Sequence, residues 1–221
     1  MMRRAVDTED KQTRRASILR AARTLFKRND GRLPTAAEIA AAAGLAKGTV
    51  YLYFKTKEEI FANVLLEGWL PVLEATELVF ERSKGKRLDQ AHAFIASTVD
   101  HLGKHPELLR LDTLSAGVLE KNMTPKALVE YKLRFNQGLI EAGDCIDRAL
   151  RLQRGRGVRI LVRTYALTRG LWQTAQLAEG MERLNIDIPH TLTASTFLDE
   201  LSAALREYWK GALSSRPSQR A

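Results

Sequence analysis

The chain has 221 residues, 45% of them hydrophobic and 28% charged, and a formal net charge of +9. That length buries a substantial core, as one large domain or two small ones, and the composition is that of a soluble globular protein. A single cysteine, Cys145, excludes an intrachain disulfide and suits a reducing cytoplasm, the opening MMRRAVDTEDKQ lacks the apolar stretch of a signal peptide, and no apolar run reaches membrane-spanning length.

Residues 1–9 read as a disordered arm, with Arg3 and Arg4 either keeping it soluble or reaching into a minor groove. Ile18, Ala22, Leu25 and Phe26 repeat at helical spacing and predict a helix from about Asp10 to Lys27. Pro34 favours an extended entry into the next element. Thr35 and Glu38 have the spacing of a capping box, so a helix starts just after Thr35. Ile39 and Ala43 share one face of it. Gly44 ends it, because glycine takes the left-handed cap without strain. A second helix follows over Lys47–Phe54. Val50 and Phe54 point inward, leaving Lys47, Gly48, Thr49, Tyr51 and Tyr53 outward. Thr56 and Glu59 form another capping box, so a third helix begins at once.

Two short helices around a glycine turn, the second basic and aromatic, make a helix-turn-helix, which sets side chains into the DNA major groove. Charge points the same way. Residues 1–57 hold 13 Lys and Arg against 5 Asp and Glu, which is +8, whereas the remaining 164 residues hold 22 against 21, which is +1. A basic face on one small domain neutralises phosphates and releases counterions.

Past Lys57 the chain reads as helices only. A long one runs from Thr56 through Trp69 and Leu73, with Pro71 as a kink point. Residues 83–87 are a polar break, and a helix spans about Leu88–Lys104 with Phe94, Ile95, Val99 and Leu102 on its apolar side. Pro106 opens a shorter piece to Leu114, followed by a loop near Asn122. Thr124 and Pro125 read as N-cap and first helical residue of a helix to about Leu152. The turn Arg154–Gly157 leads into a helix through Trp172, Asp187–Pro189 breaks it, and Leu192–Leu213 forms the last helix. These last two helices are apolar over a wide arc, which asks for two buried faces, both on the chain's own core or one of them on a twin subunit.

The string AGLAKGTVYLYFKTKEEIF, with Ala22, Leu25 and Phe26 before it, resembles the N-terminal domain of the TetR family of bacterial transcriptional regulators. The resemblance runs from about Ile18 to Leu65 by motif and extends to the rest by length and helical pattern. One departure is Ala46 at the cap of the second helix, where the family often has Ser or Thr and this chain has no side-chain oxygen. The resemblance implies an all-α fold. An arm and helix-turn-helix domain fill residues 1–57, a helical ligand-binding and dimerisation domain residues 58–213, and a disordered tail residues 214–221. It also implies a cytoplasmic homodimer on a near-palindromic double-stranded operator, acting as a repressor and released by a small-molecule effector.

The candidate DNA contacts are Thr35, Lys47, Gly48, Thr49, Tyr51, Tyr53 and Lys57. Lys47 can donate to guanine O6 and N7 or to a phosphate. Thr49 offers a hydroxyl or a methyl, and Gly48 allows close approach. Tyr51 and Tyr53 offer hydroxyls and rings, although Tyr51 reads equally well as packing between helices. Lys57 and Thr35 anchor backbone phosphates from either side. For the effector pocket that the resemblance implies, candidate walls are Trp69, Phe94, His101, Leu111, Thr113, Phe135 and Trp172, each of which also reads as ordinary core; their character favours an apolar or amphipathic ligand. Candidate dimer residues are Leu161, Tyr165, Trp172, Phe197, Leu201, Leu205 and Trp209. His101 and His105 stand four apart without a third ligand, so no metal is expected. Gly155-Arg156-Gly157 follows no strand and is no dinucleotide fingerprint. No nucleophile, base and acid converge, so neither an enzyme nor a cofactor is expected. The alternative reading is a helical DNA-binding or protein-interaction factor without a small-molecule effector.

Overall fold

A computed structural model of the protein describes residues 2–29, 32–82, 85–182 and 193–214, with side chains from residue 10 onward except 178–182. In chain order it has α1 (Met2–Arg28), α2 (Ala36–Ala42), α3 (Lys47–Tyr53), α4 (Lys57–Thr76), α5 (Arg87–Lys104), α6 (Pro106–Thr113), α7 (Pro125–Leu150), α8 (Arg156–Glu182) and α9 (Phe197–Ser214). A π-helical turn, Glu77–Glu81, continues α4. Among the described residues there is no strand, so the all-α expectation holds.

Several boundaries differ from the sequence reading. α1 starts at Met2, so the segment read as a disordered arm is helical. The expected loop near Asn122 is a π turn, Ser115–Leu119, and a 3-10 turn, Glu120–Asn122. α9 begins at Phe197, after a turn through Thr196, and not at Leu192. The side chains of Arg3 and Arg4, residues 83 and 84 of the polar break, the expected break Asp187–Pro189, Leu192 and the tail past Ser214 lie outside the described residues.

The chain forms two compact units. One comprises the chain up to Trp69 together with Arg110–Phe135; the other comprises Leu70–Leu109 and the chain from Asn136 onward.

The first unit is built on α1–α4. Ile18, Leu19, Ala22 and Phe26 of α1 are buried, as are Ile39 and Ala40 of α2, Val50 of α3 and Ile60, Phe61, Val64 and Leu65 of α4. The rings of Phe26 and Phe61 stand 5.7 Å apart. Each of these valine, leucine, isoleucine and phenylalanine side chains removed from water contributes about 1.5–3 kcal/mol. Trp69, at the end of this stretch of α4, is buried and donates its indole N–H to Asp112 Oδ1 at 3.2 Å.

The second unit packs α5, α8 and α9 around an aromatic cluster. Trp209 stacks on Phe80 with centroids 6.0 Å apart and tilts against Phe94 at 5.5 Å. Its indole N–H donates to Thr164 Oγ1 at 3.0 Å, so this buried ring leaves no unpaired donor. The α7–α8 corner is closed by Asp147, buried on α7. Its two oxygens accept the amides of Gly155 and Gly157, each at 2.6 Å. The same bonds cap the first turn of α8, which is why that helix starts at Arg156, inside the expected turn.

Candidate nucleic-acid interface

The helix-turn-helix is set by its caps. Thr35 Oγ1 accepts the Glu38 amide at 3.2 Å, while Glu38 Oε2 accepts the Thr35 amide at 2.7 Å and the Thr35 hydroxyl at 2.8 Å. This is the capping box expected from the sequence. The Thr35 amide first, and its hydroxyl second, hold the Glu38 carboxyl below the usual carboxylate value. At the other end of α2, Gly44 has φ +68, a value that favours glycine. The Leu45 amide there reaches back to the Ala40 carbonyl at 2.9 Å and the Gly44 amide to Ala41 at 3.2 Å, a Schellman closure.

α3 follows without a side-chain cap: Ala46 sits extended at φ −69, ψ 145 and offers no acceptor. Val50 and Phe54 are buried behind it. The Arg15 guanidinium of α1 lies 5.2 Å from the centre of the Phe54 ring. Burial above all, and then the charge of Arg134, lower the Arg15 pKa from its ordinary value, and Glu67 opposes them.

The outward face of α3 carries Lys47 and Gly48, both exposed, with Thr49 and Tyr53 partly so and Tyr51 39% exposed. Thr35, Lys47, Tyr51, Lys55 and Lys57 line one cleft of about 400 Å³. Four of the expected contacts, Thr35, Lys47, Tyr51 and Lys57, therefore meet in one place, while Gly48, Thr49 and Tyr53 do not line it. Lys55, which also lines the cleft, and Leu52, which stands exposed on α3, were not among the expected contacts. Lys55 donates its ammonium to the Tyr51 carbonyl at 3.2 Å and adds a charge to the cleft. Its signal was available, as the lysine directly after α3. Leu52 is 78% exposed, and an aliphatic residue in a helix defaults to an inward reading, so its sequence gives no cue.

The other candidates lie elsewhere. Trp69, Leu111, Thr113 and Phe135 belong to the first unit, and Phe94, His101 and Trp172 to the second. Trp69, Phe94, Leu111 and Trp172 are buried, His101 and Phe135 are intermediate, and Thr113 is exposed with its hydroxyl on the Arg110 carbonyl at 2.7 Å. None of them lines the cavity of about 450 Å³ in the second unit, whose walls include Leu70, Leu73, Glu77, Glu141 and Cys145. The Trp172 indole N–H is buried without a hydrogen-bond partner among the described residues.

Of the expected dimer residues, most lie in the protomer's own interior. Leu161, Trp172, Phe197, Leu201, Leu205 and Trp209 are buried inside the protomer itself, leaving only Tyr165 partly exposed. α8 and α9 pack on each other, and α9 packs on α5. The large apolar side chains that α8 does present outward are Val162 and Leu177.

Among the described residues no group of three or more His, Cys, Asp or Glu is placed to hold a metal ion, and no helix is long and apolar enough to cross a membrane.

Comparison with known proteins decides the family. Residues 18–64 match the model of bacterial regulatory proteins of the tetR family. Residues 67–216 match the tetracyclin repressor-like C-terminal domain. The chain belongs to the TetR family of bacterial transcriptional regulators. As a TetR-family member it is a DNA-binding regulator of transcription, and the α2–α3 pair is its helix-turn-helix. It is 41% identical over 63 residues to YfiR, an uncharacterized HTH-type transcriptional regulator of Bacillus subtilis (strain 168); the match covers 28% of this chain and 31% of that protein. The fold resembles a TetR transcriptional regulator from Rhodococcus sp. RHA1, with a TM-score of 0.58 and 16% identity over 93% of this chain and 98% of that one. It also resembles the transcriptional regulator FadR of Bacillus subtilis, solved in complex with stearoyl-CoA, with a TM-score of 0.55 and 19% identity over 90% and 97% of the two chains.

Proposed function

We propose that this TetR-family regulator is a repressor that reads a near-palindromic operator as a homodimer and is released by a small-molecule effector. In this reading residues 1–57 carry the DNA-reading part, and residues 58–213 carry effector binding and dimerisation, in the cytoplasm. The carrying observation is α3 itself, a short helix braced by buried Val50 and Phe54 that presents Lys47, Gly48, Thr49 and Tyr51 outward beside Lys55 and Lys57. Lys47 serves a base edge or a phosphate, and Lys57 in the first turn of α4 serves a phosphate. Thr35 contributes by setting the start of α2, since its amide and hydroxyl protons are both engaged by Glu38.

One recognition helix reads few bases, so specificity calls for two on a twofold axis. Val162, Tyr165 and Leu177 are the α8 positions that support a subunit contact, because they keep surface to offer. For the effector, the Trp172 indole N–H, buried and without a hydrogen-bond partner among the described residues, supports a ligand that brings an acceptor into an apolar interior. The likeness to FadR, solved with the amphipathic stearoyl-CoA, supports an amphipathic class.

The test is selection of duplexes from a random library by the full chain, followed by fluorescence anisotropy across a salt series. A palindromic consensus, binding that weakens steeply with salt, and loss of affinity in Lys47→Ala are expected. Binding that ignores salt, or a Lys47→Ala protein with unchanged affinity and preference, refutes the assignment of α3.

A further inference from the structure

Glu59 stands at the third position of α4, one turn after the exit of α3, and is 5% exposed. Its backbone amide donates to Thr56 Oγ1 at 3.1 Å, which forms one half of the expected capping box; its carboxylate does not return to the Thr56 amide. Its side chain goes further than a cap. Oε2 accepts the backbone amide of Lys55, the second residue past α3, at 2.7 Å. Oε1 accepts both the amide of Thr124 at 3.2 Å and its hydroxyl at 2.6 Å. Thr124 is the residue before α7, and its Oγ1 in turn accepts the Ala127 amide at 3.4 Å. One carboxylate therefore ties the end of the recognition helix to the cap of a helix 65 residues away in sequence. Among the described residues no Lys or Arg is paired with it.

A second link runs parallel one turn further along α4. Asn63 donates its side-chain N–H to the Glu59 carbonyl at 2.8 Å. Its Oδ1 accepts from Arg15, the guanidinium that lies over Phe54, and from Arg134 of α7 at 3.4 Å. Both links join the brace of α3 to the first turns of α7, and all the residues named belong to the first unit. α7 itself continues without interruption from Pro125 to Leu150.

We propose that Glu59 is a positioning residue of the DNA-reading surface, which couples the pose of α3 to the order of the first turn of α7 through Thr124. The proposal rests on the reading of α3 as the DNA-contacting helix. A buried carboxylate that accepts from both sides is not adaptable. Glutamine retains one acceptor and presents a donor on the other side, facing either the Lys55 amide or the Thr124 hydroxyl. Coupling is reciprocal: if the state of the α7 cap alters affinity for DNA, DNA must alter the state of the cap. The link can therefore be read without any effector.

The experiment uses the full chain and a duplex selected by the wild type. Amide hydrogen exchange is measured at Ala127 and Leu128 with and without that duplex, beside anisotropy titrations. In the wild type, duplex binding raises protection at both amides. Thr124→Val keeps the side-chain shape but removes the hydroxyl; it loses that rise and weakens DNA binding about tenfold. Thr124→Ser restores both, and Glu59→Gln behaves as Thr124→Val does. A wild type that binds the duplex while exchange at Ala127 and Leu128 stays unchanged overturns the coupling and leaves the DNA reading intact. So does a Thr124→Val protein with both signals preserved. If the wild type binds no duplex at all, the reading of α3 fails first and the coupling falls with it.

Discussion

Gly143 of α7 and Gly157 of α8 touch backbone to backbone: a Cβ placed on Gly157 would stand 2.1 Å from the Gly143 carbonyl oxygen. The reverse substitution is as crowded, since a Cβ on Gly143 would meet Val158 Cγ2 at 2.4 Å and its amide nitrogen at 2.6 Å. Neither obstacle is the far end of a flexible side chain that could swing away. Gly157→Ala is expected to destabilise the protein by about 3 kcal/mol, the upper range for overpacking. A urea melt of the variant should show a clearly earlier midpoint. An unchanged midpoint would show that the α7–α8 corner has slack.

Ala46 predicts a change in the opposite direction. Its backbone already has the extended geometry of an N-cap, and it lacks only a side-chain oxygen. Ala46→Ser supplies an acceptor for the first-turn amides of α3 and should stabilise the free protein by about 1 kcal/mol. For a chain of this size that corresponds to a rise in Tm of about 2–4 °C. Differential scanning calorimetry decides it, and a lower Tm would mean that a serine at this position does not reach the amides.

Acid should loosen α2 by way of Glu38. Its carboxyl is held below the ordinary value of 4.5 by the Thr35 amide first and the Thr35 hydroxyl second. A depressed folded-state value stabilises the fold above the unfolded value. That contribution fades as pH drops below 4.5 and is gone under the folded-state value. An NMR titration of the Glu38 side-chain carbon should give a midpoint under 4.5, and Thr35→Ala, which removes only the hydroxyl, should bring it part of the way back. A wild-type midpoint at or above 4.5 would contradict the capping geometry.

Cys145 should be inert. It is 4% exposed, and its thiol rests 3.6 Å from the Thr76 carbonyl. Burial, and then the charge of Glu81, push its pKa up to about 11. At pH 8 almost no thiolate is present to react. A chromogenic disulfide reagent should therefore label the folded protein only after urea is added. Rapid stoichiometric labelling of the native protein would count against this placement.

What could be read beforehand depended on how local each device is. The boundaries of α2 and α3 were legible because Thr35, Glu38 and Gly44 act on neighbours within six residues. The all-α fold was legible from the 3.6-residue spacing along the chain. The use of Phe197, Leu201, Leu205 and Trp209 was not, because a wide apolar arc looks the same whether α5 or a second subunit covers it. Asp147 was invisible for a related reason. Its partners, Gly155 and Gly157, lie beyond a helix end, and an aspartate inside a helix usually faces water. Glu59 was half legible: its cap on α4 follows from the spacing to Thr56, but its grip on Thr124 exists only once α7 is in place.

Leu52 has a thermodynamic consequence. It stands 78% exposed on a helix otherwise dressed with lysine and tyrosine. An isobutyl group in water carries a hydration shell whose release lowers heat capacity. Calorimetry of operator association should then show a negative heat-capacity change alongside the entropy of displaced salt. Shortening this side chain to alanine should reduce the calorimetric term while leaving the ionic-strength slope unaltered.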